Sequence, residues 1–120
     1  MLRIIATALF ALLFATSAEA ASRVWISEYG VLGSAQNGVP QIAAMPALVI
    51  QSTLDLSGGT AQTSAAFGGQ TKFIRIVCEV QCAVRADGSA ATTSSTLLPA
   101  LSPEYFGVQV GATVSVIAAP

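Results

Sequence analysis

The sequence has no histidine anywhere in its 120 residues. That removes the commonest general base and the commonest metal ligand together. Charge is scarce as well. Only 9% of residues are Asp, Glu, Lys or Arg, against about 25% in ordinary soluble domains. The formal net charge is −1. Beyond residue 20 the cations are Arg23, Lys72, Arg75 and Arg85, and the acids are Glu28, Asp55, Glu79, Asp87 and Glu104. Four scattered cations build no basic patch, which argues against nucleic-acid binding through counterion release. The five acids stand singly, so no acid–base pair for glycoside hydrolysis is visible. Asp87 precedes Gly88 and Asp55 precedes Ser57-Gly58-Gly59, both turn chemistry. Glu28 and Glu104 each precede a tyrosine and are expected on solvated strand faces.

Serine and threonine are plentiful, but there is no histidine to activate them and no Gly-x-Ser-x-Gly elbow. A Ser–Lys arrangement would rest on Lys72, which sits inside the strongest strand pattern. No phosphate-cradling glycine loop opens a helix. Gly58-Gly59 and Gly68-Gly69 read as loop glycines. The chain is therefore expected to be no enzyme, with no catalytic residue, no metal site and no cofactor.

What is present begins with an N-terminal leader. Met1-Leu2-Arg3 carries one positive charge, and Ile4 to Ala15 is apolar apart from Thr7. That run of about 12 residues is too short for a hydrocarbon core needing about 20. It ends in Ala18-Glu19-Ala20, small residues where signal peptidase needs them. Residues 1–20 are read as a helical signal peptide cut between Ala20 and Ala21. Residues 21–120 then form one exported domain, periplasmic or extracellular, with no membrane contact after cleavage.

The rest of the chain reads as strands. Arg23 to Tyr29 mixes β-branched and aromatic residues, and Gly30 closes it. Asn37-Gly38 marks a tight turn. Ala47 to Leu56 is a second long strand, with Leu54 and Leu56 on one face. Ser57 to Gln70 is a loop holding a short strand near Ala61 to Phe67. Lys72 to Cys78 is the clearest strand, with Phe73, Arg75 and Val77 on one side and Ile74, Ile76 and Cys78 on the other. Cys82 to Ala86 follows, then a polar surface loop over Ala90 to Ser95 and an apolar touch-down at Leu97-Leu98-Pro99. Glu104 to Val110 and Thr113 to Ile117 read as two strands joined through Gly111. Six to eight short strands at this spacing predict an all-β fold, a small antiparallel β-sandwich of jelly-roll-like form.

Cys78 and Cys82 are the only cysteines. Along one straight strand their Cα atoms would lie about 13 Å apart, too far to bridge. With Glu79-Val80-Gln81 as a three-residue hairpin loop they face each other and a disulfide can form. Two buried free thiols are the other reading, and a metal or redox pair the remotest. The aromatics beyond the leader are Trp25, Tyr29, Phe67, Phe73, Tyr105 and Phe106. They suit a thin core or a subunit interface, and alternatively an exposed platform for sugars.

Several blocks occur together in order: Trp25-Ile-Ser-Glu-Tyr29, Pro46-Ala-Leu48, Ser64-Ala-Ala-Phe67, Thr71-Lys-Phe-Ile-Arg-Ile76, Cys82-Ala-Val84, Ala91-Thr-Thr-Ser94, Ser102 to Val108 and Ser115-Val-Ile117. With them the chain resembles small uncharacterised proteins encoded in tailed-phage and prophage structural gene clusters. The resemblance covers residues 22 to 118. It implies a virion-associated or decoration-like β module that self-associates or joins a larger assembly, with no catalytic or ligand residue to carry over. This chain adds the leader and Cys78 to that pattern, which suits use in an oxidising compartment. A secreted or periplasmic module binding a glycan or a cell-surface partner is the second functional expectation, with Trp25 and Tyr105 as contact residues.

Overall fold

The computed structural model describes residues 22–34, 40–41 and 46–120. The expected signal peptide with its Ala20/Ala21 cut, and the expected Asn37-Gly38 turn, lie outside the described residues. Within them every regular element is a strand.

The sheet system grows from β1 (Arg23–Tyr29) and β7 (Phe73–Cys78). Both are rich in β-branched and aromatic side chains that alternate between two faces. They pair antiparallel over their whole length, from Val24 opposite Cys78 to Tyr29 opposite Phe73. Val24, Ile26, Ile74, Ile76 and Cys78 are buried on the shared inner face. On the far side of β7 lies β10 (Glu104–Gly107). On the far side of β1 lie β4 (Val49–Ile50) and β5 (Leu54–Asp55). The single long strand expected over Ala47 to Leu56 is thus interrupted. Gln51 still donates its N–H to the Ile26 carbonyl of β1 at 3.0 Å, and the break falls at Ser52 and Thr53 before β5 begins.

The second sheet runs β6 (Gln62–Thr63), β11 (Ser115–Ala118), β8 (Cys82–Arg85) and β9 (Thr96–Leu98), all antiparallel. A small hairpin of β2 (Gly33–Ser34) and β3 (Pro40–Gln41) stands apart. The two main sheets share one core, where Ile26, Ile74 and Ile76 of the first meet Val84, Leu98 and Val116 of the second, with Leu56 and Phe67 from the connections.

Two expected connections differ. β7 and β8 are not a hairpin: they belong to different sheets, and Glu79-Val80-Gln81 turns the corner between them. β10 and β11 are likewise split between the sheets. In both cases the spacing permits a hairpin, but each strand finds a better apolar face on a non-local neighbour. Gly30 ends β1 where Gln70 and Leu48 close in. A Cβ there would sit 2.8 Å from the Gln70 carbonyl oxygen and 2.9 Å from Leu48 Cδ1, so only glycine fits.

Candidate functional site

Four places hold chemistry: a buried carboxylate, the corner between the sheets, a cleft at one sheet edge, and the outer face of the first sheet.

Glu28 is 1% exposed, so it does not lie on a solvated face. Its position in β1 alternates inward with Val24 and Ile26. Its carboxylate accepts from the Gln51 side-chain amide at 2.7 Å, from the Gly68 N–H at 3.0 Å and from the Thr71 hydroxyl. Gln51 in turn brackets Ala65, donating to its carbonyl and accepting from its N–H. Burial pushes the Glu28 carboxyl up, but the donors from Thr71, Gln51 and Gly68 outweigh it and leave the pKa below the usual 4.5. Both carboxylate oxygens are thus used, and through Gly68, Thr71 and the Gln51 bonds to Ala65 they pin the Ser64–Thr71 segment to β1. That is a structural role.

Cys78 and Cys82 form a disulfide across the corner, with Cα atoms 6.3 Å apart. The three residues it encloses hold both flanks. Glu79 N–H donates to the Arg23 carbonyl, and the Glu79 carboxylate takes the Arg23 guanidinium at 3.2 Å. Gln81 donates from its side chain to the Ala119 carbonyl and accepts the Ala119 N–H on its own carbonyl. Arg23 holds the Glu79 carboxyl below its ordinary range.

A cleft of about 650 Å³ opens between β7 and β10 of one sheet and β8 and β9 of the other. Ile74, Ile76, Val84 and Val114 form its floor, Phe106 and Val108 one wall, and Thr92, Ser94, Ser95 and Thr96 a hydroxyl rim. Arg85 and Asp87 sit at the mouth and neutralise each other, Nε lying 2.8 Å from both carboxylate oxygens. The side-chain hydrogen bond from Arg85 and the Ser89 N–H hold Asp87 below the ordinary carboxylate range. The loop is fixed: Ser95 and Thr92 bond reciprocally, and the Ala91 N–H donates to Ser115 Oγ. The cleft is therefore preformed, of ligand-site size and mostly apolar.

The outer face of the first sheet is the unexpected one. Register places Tyr105, Arg75, Ser27 and Ile50 in one row across four strands. Phe73 and Tyr29 stack in the next row, ring centroids 5.3 Å apart, with Leu48 beside them. Val77 and Trp25 pair in the row on the other side. Four of the six aromatic residues described lie on this side of the sheet, Tyr29 being only 5% exposed and Phe73 and Tyr105 half-buried, and only Phe67 and Phe106 point in. Ile50 is 79% and Trp25 36% exposed. Arg23 lies over the Trp25 ring at 5.5 Å, and with Glu79 and Asp55 it forms a charged margin at one end. Trp25 and Tyr105, singled out in the sequence, thus share one face. The sequence hinted at this in the shared side of Phe73, Arg75 and Val77. It gave no sign of Glu28 or of the cleft, whose parts are far apart in the chain.

Among the described residues no group of three or more Cys, Asp or Glu is placed to hold a metal ion, and no helix is long and apolar enough to cross a membrane. Comparison of the chain with protein-family profiles, with curated proteins and with solved structures found no match.

Proposed function

We propose that this chain is a non-enzymatic structural module of phage or prophage type, exported by its leader and assembling through the outer face of its first sheet. The observation that carries the reading is that face: aromatic and aliphatic at its centre, with a single arginine and a charged margin. Interfaces are built this way, with Trp, Tyr and Arg as anchors and charge kept to the rim. The low overall charge supports it, since little electrostatic repulsion opposes association. The disulfide supports export to an oxidising compartment.

The strand pairings support a sandwich of jelly-roll type. In that fold the chain is a long hairpin wound so that its first strand pairs with its last, its second with the next to last, and so on inward. Here β6 pairs β11, β7 pairs β10 and β8 pairs β9. The outermost pair is closed by β1, which precedes β4 instead of following β11. We read this as a circularly permuted jelly roll, an architecture used by capsid and lectin domains alike.

Light scattering on the exported protein tests the assembly reading. A mass above the monomer that falls to the monomer in Ile50→Lys supports it, and a strictly monomeric wild type removes it. The second reading, a secreted module that binds a glycan or cell-surface partner, is favoured by Trp25 and Tyr105 flanking Arg75 on an open face. A monomeric wild type whose cell binding is lost in Trp25→Ala and Tyr105→Ala would select that reading.

A further inference from the structure

From the cleft we infer that the edge of β10, unpaired among the described residues, is a docking site for an uncharged, extended peptide segment of a partner protein, added as a further strand. Three observations converge. The Val108 N–H bonds the Lys72 carbonyl, and the register runs from Gly107 opposite Phe73 to Glu104 opposite Ile76. Ladder alternation then turns the N–H and C=O groups of Tyr105 and Gly107 away from β7, along the edge of the sheet. A strand added there would lie about 4.8 Å out. Its alternate side chains would hang over the cleft, beside Phe106 and above the apolar floor. Finally, Arg85 and Asp87 cancel at the mouth, so a charged ligand would lose hydration without gaining a partner. The apolar lining is mainly aliphatic, with Phe106 in the wall its one aromatic ring, a poor stacking platform for a sugar. A peptide with small apolar residues at every second position meets all three conditions, and strand addition is an established recognition mode. The assembly face shares Tyr105 of β10 with this site but uses the face of the sheet where this site uses its edge, so Ile50→Lys tests one and Ser94→Trp the other.

The test uses a fluorescein-labelled peptide of alternating serine and valine, followed by fluorescence anisotropy and by amide chemical shifts of the protein. The expected result is saturable binding, with shifts concentrated at Tyr105, Gly107 and Thr96. Gly107→Pro removes one outward N–H at an edge position where proline is tolerated, and a Cβ at Gly107 meets only the Lys72 carbonyl oxygen at 4.0 Å; the ring also fixes φ and restricts Phe106. It should weaken binding about tenfold, the cost of one unmade hydrogen bond. Ser94→Trp, which blocks the rim and leaves the backbone alone, should weaken it too and decides the matter if Gly107→Pro does not fold. Ile50→Lys, on the opposite edge, should bind as wild type. No saturable binding, shifts confined to β4, or a folded Gly107→Pro that binds like wild type would each overturn the inference. So would a cleft that takes the dye anilinonaphthalene sulfonate but not the peptide, which would mark a small-molecule site. A fall in oligomer mass in Ser94→Trp would assign the cleft to a second copy instead, and would overturn it as well.

Discussion

The outer faces of the two sheets are made from the same kind of strand and finished differently. On the second sheet Ala83 is 0% and Ser115 4% exposed. The chain covers part of that face itself: the loop after β8 folds back, buries Ala91 and bonds it to Ser115, while Leu97 opposite Ala83 stays 53% exposed. On the first sheet the outward residues are larger and more apolar, yet Ile50, Leu48 and Trp25 remain exposed. A protein this poor in charge has a loop available for one face and offers the other a charged margin only. Contiguous apolar surface of that kind marks an interaction site.

The sharpest way to break the comparison is from beneath. Glu28→Ala would leave the buried Thr71 hydroxyl, the Gln51 amide and the Gly68 N–H without their acceptor. About 3 kcal/mol of unfolding free energy should be lost in urea titration. Because the folded pKa of Glu28 is depressed, its contribution is present above pH 4.5 and drains away as pH falls through the lower folded value. Glu28→Gln should therefore flatten the acid limb of the stability profile while changing little of its shape above pH 6.

Next comes the corner that locks the sheets together. The Cys78→Ser/Cys82→Ser double variant should lose about 2 kcal/mol, the entropy of a short closed loop, readable as a lower urea midpoint. Ser115→Ala should follow, at about 1 kcal/mol, since the Ala91 N–H then has no acceptor. It should leave the oligomer mass unchanged. Trp25→Ala should do the opposite: the mass falls while the stability of the monomer changes by less than about 0.5 kcal/mol. Equal effects of these two variants on mass would erase the distinction between the faces. The last expected change is a gain. Leu101 has a φ of 56°, strained for a branched side chain, and it is exposed. Leu101→Gly should raise stability by up to about 1 kcal/mol, as the two faces stay as they are.

How much of this was legible in the sequence follows from how local each feature is. The alternation in β7 set Ile74, Ile76 and Cys78 on one side, because period two is written within six residues, and the structure buries that side. Leu54 and Asp55 were set on opposite faces for the same reason, and Leu54 is the more buried. The disulfide was one of two open readings, and its setting was misread. Spacing alone cannot say whether two strands share a sheet. Glu28 was placed on the wrong face because its donors lie at Gln51, Gly68 and Thr71, far along the chain, and a lone acidic residue beside a tyrosine reads as surface. The outward aromatics were visible as a shared strand side, but which side the chain would cover depended on a loop more than ten residues away.

The corner at Glu79 and Gln81 has a mechanical meaning. The start of β1 and the end of β11 are both tied to it, one through Arg23 and the other through Ala119. Tension applied to the two ends of the folded domain would enter and leave through that one stapled turn. The load path would run across a few bonds and one covalent link, bypassing both sheets. Such a unit could hang from a neighbour by its ends and keep its faces and edges at rest, free for whatever binds them.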